Sequence, residues 1–122
     1  MSEATAKLKN YRQSPRKVRL VADLVRGKTA EHAIALLNTL PKRASEAMVK
    51  LIQSAVSNSK LPAGEVVIST IQVNGGIVFK RSMPRARGSS SPIRKKTSVV
   101  TLGLSRRAVP KGSAKKVTAA TK

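Results

Sequence analysis

Lys80 to Lys96 reads KRSMPRARGSSSPIRKK, seven basic side chains and no acid in one stretch. Strand-like runs overlap both of its ends, Gly76 to Met83 before it and Ile93 to Leu104 after it, so Pro84 to Pro92 becomes the tip of a long hairpin over about residues 76–104. Two arms of roughly nine residues at ~3.3 Å each reach about 30 Å, beyond the radius of gyration of about 14 Å expected for a chain of this size. The arm must therefore protrude. A lone two-stranded ribbon is marginal in water, and this one has no hydrophobic tip to bury against its own body. Its order has to come from a partner. With Lys80, Arg81, Arg85, Arg87, Arg94, Lys95 and Lys96 along it, the expected partner is a polyanion.

Composition points the same way. The chain has 122 residues and is 40% hydrophobic, which suits one domain with one modest core. Twenty-five Lys and Arg against five acids give a formal charge of +20, so a compact body repels itself unless a polyanion screens it. Nucleic acid fits that requirement. The acids Glu3, Asp23, Glu31, Glu46 and Glu65 all precede residue 66, whereas residues 66–122 carry thirteen basic groups and no acid. The second half is thus the stronger electrostatic footprint. Cysteine is absent, which leaves no disulfide framework and no thiolate metal site. No run approaches the ~18 apolar residues of a membrane span, and the first residues lack the apolar core of a secretion signal, so an intracellular protein with no membrane partner is expected.

The body is legible in pieces. Residues 4–12 alternate weakly, with Ala6 and Leu8 on one face and Lys7 and Lys9 on the other, which fits either a short edge strand or a solvated basic arm. Ser14-Pro15 marks a helix start, because Ser offers an N-cap oxygen and Pro at the first helical position loses no needed hydrogen bond. Val18, Val21, Ala22 and Val25 recur at helical spacing, Leu20 and Leu24 broaden the apolar face, and Gly27 supplies the stop. Arg16, Lys17 and Arg19 crowd the first turn, where the helix dipole prefers anions. Phosphate oxygens at that turn would reverse the cost; the alternative is a solvated basic turn. A second helix is predicted after Thr29, with Ala33, Ile34 and Leu37 inward and Pro41 near its end. From Lys42 to about Ser59 the positions Ala44, Ala47, Met48, Leu51, Ile52, Ala55 and Val56 keep helical spacing throughout, which makes this the core helix. Leu61-Pro62-Ala63-Gly64 reads as a turn, Val66 to Val73 as a strand, and Asn74-Gly75-Gly76 as the turn that ends it. The sequence from Ser105 to Lys122 has no apolar period, so a basic, flexible or partner-ordered tail is expected at 105–122.

The chemistry on offer is binding. No GxxxxGK loop is present, no nucleophile sits with a base partner, and no carboxylate pair is spaced for acid-base work, so no catalytic residues and no cofactor are expected. His32 is the only histidine; with no Cys beside it, a surface or partly packed helix position is expected and no metal site. Tyr11 and Phe79 are the only aromatics, too few for a base-stacking platform. Phosphate contacts then dominate, and these position a protein without reading much sequence, which suits a folded RNA whose shape is already specific.

Ser14-Pro15-Arg16-Lys17-Val18-Arg19-Leu20-Val21-Ala22-Asp23-Leu24-Val25-Arg26-Gly27-Lys28, then Ser54-Ala55 and Asn58, Lys80-Arg81, Met83-Pro84-Arg85-Ala86-Arg87-Gly88 and Lys95-Lys96-Thr97 together resemble the large ribosomal subunit protein twenty-two family, in a bacterial form, over about residues 4–104. The resemblance implies an α+β fold, a small antiparallel sheet packed on about three helices, as a single domain over 1–104. It implies a place near the mouth of the nascent-peptide exit tunnel, with the hairpin threading inward. Partners implied are large-subunit rRNA, neighbouring large-subunit proteins and the nascent peptide, in a cytoplasmic ribosome. Carried over, Met83, Pro84, Arg85, Ala86, Arg87 and Gly88 are tip residues, and Arg16, Lys17 and Arg19 hold rRNA at the body, with Lys80, Arg81, Arg85, Arg87, Arg94, Lys95 and Lys96 holding it along the arm. The chain departs from the pattern at Ser89-Ser90-Ser91-Pro92, where the family often has another Arg, and at Val99, where it often has His.

Two other classes compete. A DNA-bending nucleoid protein with basic β-ribbon arms also places Pro and Arg at ribbon tips, but such a protein usually needs an apolar dimer face, and the long apolar helix is already committed to the monomer core. An RNA-modifying enzyme lacks a candidate acid, base or metal site.

Overall fold

The structure is a computed structural model that describes residues 4–107; most of the expected 105–122 tail lies outside the described residues. The element order is β1 (Ala4–Tyr11), α1 (Pro15–Val25), α2 (Ala30–Thr39), α3 (Arg43–Ser59), β2 (Val66–Pro84) and β3 (Ser90–Arg106). The strands form one antiparallel sheet in the order β1-β3-β2. This is the α+β arrangement expected, with the long hairpin made by β2 and β3.

Each helix follows from its sequence with one or two amendments. Pro15 opens α1, but the Ser14 hydroxyl makes no cap bond; the Ser14 carbonyl instead accepts from the N–H groups of Lys17 and Val18. Val18, Val21, Ala22 and Val25 are buried, whereas Leu20 and Leu24 are 64% and 39% exposed. At ~100° per residue both lie about a quarter-turn or more off that stripe, and four small side chains already fill the space beneath the helix. Gly27 adopts φ +80°, the left-handed backbone that glycine takes without strain. Its N–H donates to the Ile68 carbonyl, and Ile68 N–H donates to Lys28, which ties the exit of α1 to the outer edge of β2. Thr29 caps α2 by accepting from His32 N–H at 3.3 Å. In α3, Ala44, Met48, Leu51, Ile52 and Ala55 are buried with Ala47 and Val56 partly so, which bears out its reading as the core helix.

The alternative readings of residues 4–12 resolve to an edge strand. β1 pairs with β3 from Ala4–Leu104 to Tyr11–Ser98, with a shift near Asn10, which has φ +57°. The turn expected at Asn74-Gly75-Gly76 is not formed. β2 runs unbroken for 19 residues, and these glycines sit at a bulge where the register slips between Gly75 and Val78. The reason is close approach: a Cβ added to Gly76 would fall 2.7 Å from Thr97 Oγ1. Thr97 is itself buried and donates its hydroxyl to the Ile77 carbonyl. Pairing then continues to Pro84–Ser90, so only residues 85–89 lie outside the ladder, a tighter tip than 84–92. Pro92, opposite Ser82, is tolerated because each strand of a lone ribbon has a free edge. At the other end β3 reaches Arg106, and Arg107 N–H donates to Glu65, so 105–107 belong to the body where the tail was expected.

The three helices cover one face of the sheet. Ala6, Ile68, Ile71, Val73, Val100, Leu102 and Leu104 meet the helix residues named above in one core. Outward from the Val78–Lys96 pair the sheet is reduced to two strands, and of the described residues Arg12 lies against them, over the Phe79 ring. Seven residue rows at ~3.3 Å make this free ribbon about 23 Å long. Replacing Gly76 with Val should therefore destabilise the protein by about 1–3 kcal/mol through overpacking against Thr97. Gly75→Ala, whose Cβ would find only Pro15 at 3.9 Å, should cost less than about 1 kcal/mol. Urea denaturation of the free protein measures both, and equal midpoints for the two variants would contradict the close-approach account.

Candidate nucleic-acid interface

Two ion pairs occur among the described residues, Arg26–Asp23 at 2.7 Å and Lys50–Glu46 at 3.5 Å. The predicted binding cations are in neither. On the arm, Lys80 stands directly opposite Arg94, Phe79 opposite Lys95, and Val78 opposite Lys96. Directly opposed residues share a face and successive ones alternate. Lys80, Arg94 and Lys96 therefore lie on one face, with Arg81 and Lys95 on the other. Both faces are basic, and the Lys80–Arg94 like-charge pair opposes ribbon formation unless an anion lies between them.

The tip is a fastened turn. Arg85 N–H donates to the Ser89 carbonyl at 2.7 Å, and the Ser89 N–H and hydroxyl both donate to Ala86, at 3.3 and 2.8 Å. Arg85 Nε donates to Ser91 Oγ at 3.2 Å. Ser89 and Ser91 thus close the turn internally. Arg87 at φ 59° and Gly88 at φ 71° make the reversal, and the left-handed conformation at Arg87 costs roughly 1–2 kcal/mol that the surrounding bonds offset. Met83, at the last rows of the ladder, is 43% exposed.

On the body, Arg16 and Lys17 are exposed on the first turn of α1, which carries no acid. Arg19 is placed differently. Its Nε and Nη2 donate to the Val73 carbonyl at 3.2 and 3.1 Å, and just past the end of α1 Arg26 Nη2 donates to the Ile71 carbonyl at 2.9 Å. These two arginines satisfy carbonyls on the outer edge of β2, an edge otherwise open to pairing with another chain.

The structure also gathers Lys17, Lys95 and Lys96 with two cations, Arg12 and Arg43, that sequence reasoning did not single out. Arg12, Gln13, Ser14, Lys17, Arg43, Lys95 and Lys96 line an open cleft of about 470 Å3 at the root of the arm. Arg12 lies over the Phe79 ring, its guanidinium carbon 4.6 Å from the centroid. Beside this cleft, Ser14, Pro15, Arg16, Gly75, Gly76 and Lys96 border a second hollow of about 330 Å3, so Lys96 faces both. Arg12 and Arg43 sit at the entrances to α1 and α3, and only the fold brings them together. Among the described residues no group of His, Cys, Asp and Glu could hold a metal, and His32 is exposed on α2.

Residues 6–105 match the model of the family described as "Ribosomal protein L22p/L17e". The chain belongs to this family. Relatives named "Large ribosomal subunit protein uL22" agree. That of Pelobacter propionicus is 47% identical over 107 residues, covering 84% of this chain and 96% of its own. Those of Herpetosiphon aurantiacus, 44% identical with 82% and 92% covered, and Fusobacterium nucleatum, 46% identical with 84% and 96% covered, are similar in the same way. The family match takes in the α1 motif and the whole arm.

The unequal surroundings of the two arginines on α1 lead to unequal effects. Arg19→Gln should lower stability by about 1 kcal/mol, because it removes two charge-assisted bonds to Val73. Arg16→Gln should leave stability unchanged within about 0.5 kcal/mol, as for other surface substitutions. Urea midpoints of the free variants decide the matter; equal stability would mean that the Arg19 bonds contribute nothing.

Proposed function

We propose that this chain is a structural constituent of the large ribosomal subunit that binds and organises large-subunit rRNA and has no catalysis of its own. The single observation that supports this most is the free ribbon. It is a two-stranded arm with cations on both faces, no acid and no core to cover it, carried on a body with its own apolar centre. Such an arm needs an anion on both sides, and the interior of a folded RNA supplies phosphates on both sides. The relatives' name places them in the large subunit, and this chain spans nearly their full length.

In this reading Arg16 and Lys17 meet phosphates at the first turn of α1, where free backbone N–H groups add to the side-chain charge. Arg19 stands beside them and divides its donors between Val73 and the RNA. Lys80, Arg81, Arg85, Arg87, Arg94, Lys95 and Lys96 neutralise phosphates along the arm, so affinity falls steeply with salt, by ~0.7–0.9 in log K per phosphate for each tenfold rise. Met83, Pro84, Arg85, Ala86, Arg87 and Gly88 form the tip and line the nascent-peptide exit tunnel. Neighbouring large-subunit proteins and the nascent peptide are then contacts of the assembled particle in the cytoplasm. A nucleoid protein with ribbon arms is disfavoured, since the best apolar helix, α3, is spent on the monomer core.

A register experiment tests the arm's role. Deleting Phe79-Lys80-Arg81 removes an odd number of residues from one strand, which inverts the remaining side chains up to the turn or forces a new bulge. It also shortens that strand by about 10 Å. The core lies below the cut, so the protein should still enter large subunits while macrolide susceptibility or nascent-chain stalling changes. Deleting only Lys80-Arg81 keeps the face parity and should disturb the tip less. Identical tunnel behaviour in the wild-type, two-residue and three-residue proteins would show that the tip does not line the tunnel.

A further inference from the structure

We propose that Arg12, Lys17, Arg43, Lys95 and Lys96 act as one clamp for an RNA sugar-phosphate backbone at the root of the arm, and that the bound strand fixes the arm's direction relative to the body. The proposal rests on the rRNA-binding reading above and adds to it a site, with Arg12 and Arg43 as its new members.

The five cations come from four separate places: the β1–α1 connection, α1, the first turn of α3, and β3. Their repulsion would drive them apart in the free protein, yet the backbone holds them around one cleft, and no acid lines it. The two ion pairs among the described residues use Asp23 and Glu46, neither of which reaches it. A cleft of about 470 Å3 lies within the ~300–1,000 Å3 typical of small-ligand sites and has room for a phosphodiester with its flanking sugars. The Arg12 guanidinium lies over the Phe79 ring, and a guanidinium packed against an aromatic face can still present its N–H edge to a phosphate.

Position gives the site its consequence. The register slip between Gly75–Ser98 and Val78–Lys96 marks where the three-stranded body becomes a two-stranded ribbon. Lys95 and Lys96 lie just outside that slip, whereas Lys17 and Arg43 belong to helices of the body. Arg12 spans the two, since it leaves β1 on the body side and stacks on Phe79 of the ribbon. A backbone held by all five therefore joins ribbon to body across the bulge, which is the point where the arm would otherwise swing.

The test uses the full chain, an in vitro transcript of large-subunit rRNA, and an Arg12→Gln, Arg43→Gln double variant whose urea midpoint is checked first. Binding is measured against salt. The slope of log K on log salt should shrink by about 0.7 to 1.8, as expected for one or two lost phosphate contacts. Because the chain has no cysteine, spin labels at Ser57→Cys and Ser90→Cys report the distance from body to tip. RNA should narrow that distribution in the otherwise wild-type protein and leave it broad in the double variant. If the double variant is poorly folded, Arg43→Gln alone, at an exposed helix start, should still lower the slope by about 0.7 to 0.9. A wild-type slope together with wild-type narrowing in a folded variant overturns the clamp, while Arg16 and Lys17 variants that do weaken binding would leave the broader reading standing. A wild-type protein whose affinity is flat with salt would overturn both.

Discussion

The ladder between β2 and β3 joins two environments in one pair of strands. Its inner half, from Val66–Arg106 to Val73–Val100, has Ile68, Ile71, Leu102 and Leu104 in the core. Its outer half, from Val78–Lys96 to Pro84–Ser90, pairs only with itself and meets the body at its root, where Arg12 lies over the Phe79 ring. Because side chains alternate on each side of the fixed bulge between Gly75 and Val78, core packing of the inner half, together with that bulge, fixes which residues of the outer half face which way. A slip of one residue would expose Ile68 and Leu102 and at the same time turn over every cation of the arm. The apolar core therefore sets the geometry of a polar surface about 20 Å distant at ~3.3 Å per residue.

Electrostatics divides the molecule along the same line. The body is held by apolar contacts and needs few ion pairs, whereas the arm, the first turn of α1 and the cleft at the arm's root each hold like charges together. Lys80 opposite Arg94, Arg16 beside Lys17, and Arg43 near Lys95 are unfavourable in isolation, and all three become favourable against one kind of partner. Two arginines depart from the pattern. Arg19 and Arg26 turn back to the Val73 and Ile71 carbonyls, closing a sheet edge that a bulge alone would leave open.

Much of this was legible in the residues. The period of α3, the Ser14-Pro15 start of α1 and the basic run flanked by strand-like arms each carry a local physical signature, and each appears where expected. What escaped was set by contacts distant in sequence. Asn74-Gly75-Gly76 has the chemistry of a turn, but glycine serves equally where two strands come too close for a Cβ, and the Thr97 hydroxyl that decides the matter is twenty-one residues away. Leu20 and Leu24 look like core beside three valines, yet the sheet beneath α1 has space for only one stripe. Nothing in a run of basic residues distinguishes Arg19, whose acceptor is on β2, from Arg16, which faces solvent. Arg12 and Arg43 lay outside both motifs, and only the packing of α3 beside β1 shows that they face the same cleft.

Cross-linking from the tip addresses most directly whether the arm enters the particle. A photoreactive residue at Ala86, incorporated into assembled large subunits that carry a stalled nascent chain, should form adducts both with rRNA and with the nascent peptide. The same group at Ser57, on the exposed face of α3, should form no nascent-chain adduct from inside the tunnel. Adducts from Ala86 confined to surface proteins, or none with RNA, would contradict an arm seated inside folded rRNA.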